Sequence, residues 1–143
     1  MNILDEKLAD IDAGVDDLNI TSLRIPKEKC TRIVTALSQN KHIKSINLGW
    51  NHIGDEGCMI LTNCFVEFPN LTDLNFCNNG IGPSGISYLA EYLPRMVSLT
   101  SLSLRNNRFG EEGATAMAQK LVQLPNLRQL YLGENNFGKI GFL

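Results

Sequence analysis

Charge of one sign is scarce in this chain. Its 13 Lys and Arg against 15 Asp and Glu leave a formal net charge of −2. Proteins that grip nucleic acid neutralise phosphates with clustered Lys and Arg, so the balance argues against a nucleic-acid partner. Long hydrophobic runs are missing too. No apolar stretch approaches the roughly 18 residues of a membrane span, and no membrane role is expected. The first ten residues, Met1 to Asp10, are acidic and mixed and lack the basic start and apolar centre of a secretory leader. Cysteine is sparse: Cys30, Cys58, Cys64 and Cys77 match no zinc or disulfide spacing. They are read as reduced thiols of a cytoplasmic chain, three of them filling the core.

Chemistry-bearing motifs are equally thin. There is no G-x-x-x-x-G-K-[ST] phosphate loop and no H-E-x-x-H. Gly82-Pro-Ser-Gly-Ile approaches a nucleophile elbow but lacks its final glycine. The two histidines, His42 and His52, fall at a strand entry and a turn. Asp55-Glu56 and Glu111-Glu112 sit at separate helix starts, where negative charge suits the positive dipole end, with no acid–base pair around a pocket. No catalytic residue, metal or cofactor is expected.

What the chain does have is a period. Segments beginning at Ile43, Leu71, Leu99 and Leu127 align without a gap, 28 residues apart, and each reads L-x-x-L-x-L-x-x-N-x-φ-G with φ apolar. The second half repeats as well: Gly57, Gly85 and Gly113 recur, then Leu61, Leu89 and Met117, then Phe65, Leu93 and Leu121. The last two columns lie four residues apart, on one face of a helix. Each unit is therefore strand, turn, helix and return loop. A weaker unit begins at Val15 and keeps the apolar columns through Ile33 and Leu37, but has Leu23 at the Asn position and Lys29 at the helix Gly. Terminal repeats are commonly atypical because one side meets solvent. Ahead of it, Leu4, Leu8 and Ile11 form one helical stripe, so residues 2 to 12 are predicted to cap the first strand.

The period and the L-x-x-L-x-L-x-x-N signature resemble leucine-rich repeats, and the full-helix unit resembles their ribonuclease-inhibitor-like subfamily. The resemblance spans residues 15 to 143. It implies an α/β fold, a right-handed horseshoe solenoid with a parallel β-sheet on the concave face and helices on the convex face. The expected division is a cap helix over 1–14, a degenerate capping repeat over 15–42, full repeats over 43–70, 71–98 and 99–126, and an incomplete last repeat over 127–143. It also implies that Asn51, Asn79, Asn107 and Asn135 are a structural ladder bonded to backbone groups of neighbouring turns. Gly54, Gly82, Gly110 and Gly138 are expected to supply turn geometry.

Strand alternation sends the residues between the apolar columns outward. These are Asp17, Asn19, Thr21 and Ser22; Ser45, Asn47, Gly49 and Trp50; Asp73, Asn75, Cys77 and Asn78; Ser101, Ser103, Arg105 and Asn106; and Gln129, Tyr131, Gly133 and Glu134. A polar, open sheet face carrying the only Trp, a Tyr and an Arg has the residue types of interface hot spots. The expected partner-binding set is Trp50, Asn47, Asp73, Asn75, Cys77, Ser103, Arg105, Gln129 and Tyr131. Cys77 is expected to be a passive exposed thiol.

The period places the next inward helix residues after the last strand at 145 and 149, past Leu143. Met117 and Leu121 are then expected to be partly bare, with either two copies pairing through that end or the chain being a piece of a longer repeat protein. The functional expectation is a non-catalytic module whose partner is another protein. Similar repeats occur in host-directed proteins of intracellular bacteria, which would place the chain in a host cytosol. Ran GTPase-activating proteins have similar repeats, making regulation of a small GTPase the alternative.

Overall fold

The sequence period reappears as strand register. In a computed structural model, which describes residues 2–136, five three-residue strands form one parallel sheet in the order β1-β2-β3-β4-β5. They are β1 Asp17–Asn19, β2 Ser45–Asn47, β3 Asp73–Asn75, β4 Ser101–Ser103 and β5 Gln129–Tyr131. Leu18 faces Ile46, Ile46 faces Leu74, Leu74 faces Leu102 and Leu102 faces Leu130. One repeat along the chain is thus one strand across the sheet, and the chain is an α/β solenoid. The central residues of the first four strands are at most 2% exposed, so their neighbours must face outward.

Between the strands run α2 Lys27–Ser38, α3 Gly54–Phe65, α4 Pro83–Tyr92 and α5 Gly110–Leu121. Their inward columns complete one continuous core with the strand leucines. Close helix packing explains the recurring column Gly57, Gly85 and Gly113. A Cβ on Gly85 would stand 2.6 Å from the Asp55 carboxylate and 2.8 Å from Ile81, and one on Gly113 would stand 2.7 Å from Ile86. All three distances are well inside van der Waals contact.

Helix starts differ from expectation at one glycine. Gly54 and Gly110 hold left-handed backbones, with φ of 69° and 63°, which a Cβ disfavours. Gly82 does not: it is extended, at φ −97°. Its value lies in proximity instead. Asp55, in the first turn of α3, accepts hydrogen bonds from the Gly82 amide at 2.6 Å and the Gly85 amide at 3.0 Å. A carboxylate of one repeat thereby caps the helix of the next, satisfying two amides that α4 leaves open. Gly138 lies outside the described residues.

At the N-terminal end, α1 Ile3–Asp12 begins at Asn2, whose side chain accepts from the Asp5 amide. Leu4, Leu8 and Ile11 are buried, and Asp5 pairs with Arg32 of α2. This helix covers the outer side of the first repeat, in keeping with the stripe read from sequence.

The expectation of a bare Met117 is not met: it is 1% exposed. It occupies the column of Leu61 and Leu89, which are fully buried, and Leu127, Leu130 and Leu132 of the last repeat pack against the same core. The position that loses cover is one turn later. Leu121, in the column of the buried Phe65 and Leu93, is 39% exposed, and Val122 beside it is 88% exposed. The segment Gly138 to Leu143, on which the pairing of two copies was reasoned, lies outside the described residues.

Candidate functional site

Two sets of asparagines with opposite roles emerge from the repeats. The inner set is sealed. Asn51, Asn79, Asn107 and Asn135 are at most 4% exposed. The Asn79 Oδ1 accepts from the Asn51 amide at 3.0 Å and the Ile53 amide at 3.3 Å. Its Nδ2 donates to the Leu48, Phe76 and Cys77 carbonyls at 2.9–3.0 Å. The same pattern recurs at Asn107. Each carboxamide satisfies backbone groups where the strand turns away from the sheet, groups that burial would otherwise leave unpaired. This ladder is structural.

The outer set faces solvent. Asn19, Asn47 and Asn75 are register partners on adjacent strands. Each folds its Oδ1 back onto the amide two residues on: Thr21 at 3.3 Å, Gly49 at 3.1 Å and Cys77 at 2.8 Å. With the oxygens so engaged, the three Nδ2 groups are left to donate away from the sheet.

Asn47 and Asn75 floor a hollow of about 430 Å³ lined also by Ser45, Asp73, Ser101, Ser103, Arg105 and Tyr131, with the edges of Ile46 and Leu74. The structure thus brings together Asn47, Asp73, Asn75, Ser103, Arg105 and Tyr131 of the expected set. Ser45 and Ser101 line it as well. They share the outward parity of Asp73 in the pairing register, a signal that places them on the face although the expected set leaves them out. Gln129 is exposed on β5 but outside this lining. The Arg105 guanidinium lies 3.2 Å from Glu134, leaving that corner neutral. Tyr131 is 46% exposed.

Trp50 and Cys77 are placed differently from what alternation alone predicts. The strands end at Asn47 and Asn75, so both residues sit beyond them, on the rim turn. Trp50 is 59% exposed and holds a left-handed backbone, φ 62°. So do Ser22, Asn78, Asn106 and Glu134, its equivalents in the other repeats. Left-handed geometry is uncommon for any residue with a Cβ, least so for Asn, and a genuine outlier for a bulky one. A column of positive φ cannot be read from a strand pattern, although Asn78 and Asn106 hint at it. Cys77 is half-buried. Its Sγ would meet a Cβ on Gly49 at 2.9 Å, so the glycine makes room for the thiol.

The other cysteines fill the core. Burial pushes the Cys58 thiol up to about 12, and Cys30 and Cys64 each to about 11. Thiolate is the reactive form. In the native protein, a maleimide is expected to label Cys77 first, with the other three reacting only on unfolding. Mass spectrometry of a timed labelling reaction checks the order, and faster labelling of Cys58 would refute it.

Comparison with known proteins agrees with this architecture. The Leucine Rich repeat family matches residues 39–61, 69–90 and 96–118, segments that include β2, β3 and β4. No curated protein matches the chain as a sequence. Among solved structures, one titled Leiomodin-1 Actin-Binding Site 2 superposes with a TM-score of 0.79 at 22% identity, over 92% of this chain and 80% of that one. A tropomodulin C-terminal domain from Caenorhabditis elegans superposes with a TM-score of 0.79 at 19% identity, over 92% and 83%. Sequence period, strand register and family match fall on the same residues, and this chain is a leucine-rich-repeat protein.

Proposed function

We propose that the chain is a non-catalytic protein-interaction module that holds its partner in the hollow of the sheet and against the Trp50 rim. The observation that carries this reading is Trp50 itself. It is a large, exposed ring kept in a left-handed backbone, at a position filled elsewhere by Ser, Asn and Glu. The fold gains little packing from it, and left-handed geometry costs an ordinary residue roughly 1–2 kcal/mol. Strain of this kind persists where function retains it. The hollow supports the same reading. It offers amides, hydroxyls, a neutralised Arg105 and an exposed Tyr131.

Five strands about 4.8 Å apart give a sheet some 20–25 Å wide, suited to one side of a standard interface of about 800 Å². The fold is shared with a domain titled as an actin-binding site, which makes actin the first protein to assay.

Substituting Trp50→Ala with Tyr131→Ala is expected to abolish pull-down of the partner from a cytosolic extract and to leave the melting temperature within about 2–3 °C. Trp50→Asn alone is expected to weaken binding while raising stability by up to about 1 kcal/mol, because Asn tolerates the left-handed turn. Undiminished capture by the double variant sinks the site.

A further inference from the structure

The charges along the outward face of the sheet specify more than a generic partner. Arg105 is occupied by Glu134 at 3.2 Å, and Lys44, at the strand entry, by Asp16 at 3.4 Å. On the outward row that begins each strand, the register runs Asp17, Ser45, Asp73, Ser101, Gln129. Asp17 and Asp73 are exposed and have no ionic partner among the described residues. They stand two strands apart, about 9.6 Å at the usual strand spacing. Ser45 lies between them, and Asn47 and Asn75 lie on the next outward row, two residues along their strands.

We infer that this sheet face accepts an amphipathic helix of the partner protein, laid across the strands, with Lys or Arg at positions i and i+7. Seven helical residues advance about 10.5 Å and return to nearly the same face, matching the Asp17–Asp73 interval. An extended peptide matches poorly, because its same-face residues recur about every 6.6–6.8 Å, falling short of the interval or overshooting it. A hydrogen-bond acceptor such as Glu or Gln at i+3 or i+4 meets Ser45, one strand along from Asp17, with Asn47 two residues further on the same strand. The carboxylates select the charge of the helix, their spacing selects its periodicity, and Ser45 with the amide row beside it selects what lies between. This inference rests on the concave-face reading above and narrows its partner.

The test uses fluorescein-labelled, alanine-rich helical peptides titrated with the full chain and followed by anisotropy. One carries Lys at i and i+7 with Gln at i+4. A second carries Glu at the two Lys positions. A third carries the two Lys at i and i+5, on different faces, with the same net charge. The first peptide is expected to bind saturably and to weaken as salt is raised. The second is expected not to bind, and the third to bind at least fivefold more weakly. Asp17→Asn with Asp73→Asn is expected to weaken the first peptide tenfold or more with the melting temperature unchanged, since both side chains are on the surface.

Equal binding of the first and third peptides, or full binding by the double variant, overturns the charge pairing. If in that case Tyr131→Ala still abolishes binding, the concave-face reading stands while the helix-charge inference falls. Binding that none of these substitutions alters sinks both.

Discussion

Asn79→Ala is expected to lower stability by about 3–5 kcal/mol and the melting temperature by roughly 8–15 °C. The side chain is 1% exposed and makes five hydrogen bonds, all to backbone groups. Alanine leaves the Asn51 and Ile53 amides facing a buried space without the oxygen that held them. An orphaned buried donor costs about 1–3 kcal/mol, and two amides are affected along with the carbonyls of Leu48, Phe76 and Cys77. The estimate is a large share of the 5–15 kcal/mol that usually separates folded from unfolded states. The conversion to temperature follows from about 2–4 °C per kcal/mol at this chain length. Asn75→Ala is the control. Asn75 has the same side chain, but it is only partly buried and bonds one amide, and its loss is expected to cost under about 1.5 kcal/mol. Urea unfolding of both variants measures the contrast. Equal losses would mean that the inner ladder bears no special burden.

Phe76 is the second place where one side chain carries much of the packing. It is fully buried, and its ring lies 6.0 Å from that of Phe65, which in turn lies 6.1 Å from Phe68. The equivalent position is Ile20, Leu48 and Leu104 in other repeats, all at most 1% exposed. Phe76→Ala removes the ring and leaves a cavity, at an expected cost of about 3–5 kcal/mol. Phe76→Leu restores the residue that the column carries elsewhere and is expected to cost less than about 1.5 kcal/mol. The pair separates two explanations. If the column needs only an apolar residue of ordinary size, leucine is mild. If the three-ring cluster organises the middle of the solenoid, leucine is nearly as damaging as alanine. Chemical denaturation, with the slope checked for two-state behaviour, decides between them.

The sequence was sufficient for everything governed by period and parity. A 28-residue repeat must place Leu18, Ile46, Leu74, Leu102 and Leu130 opposite one another if strands pair without slipping, and the register does so. Alternation then fixes which residues face outward, because neighbouring side chains on a strand point to opposite sides. Alternation places Asn47, Asp73, Asn75, Ser103, Arg105 and Tyr131 on one surface, and the hollow is lined by all six.

Tertiary structure decided what happens where the strands stop. Three residues is a short strand, and parity loses its authority past Asn47, where the chain turns with positive φ at Trp50. Backbone dihedrals leave no trace in a hydrophobic pattern, so neither the strain at Trp50 nor the extended form of Gly82 was legible. Nor was the reach of Asp55 into the next helix, since a contact between repeats depends on how closely two helices approach. The pairing of Arg105 with Glu134 is of the same kind. Composition supplies both charges, but only their placement 3.2 Å apart neutralises one another and leaves Asp17 and Asp73 to set the character of the face.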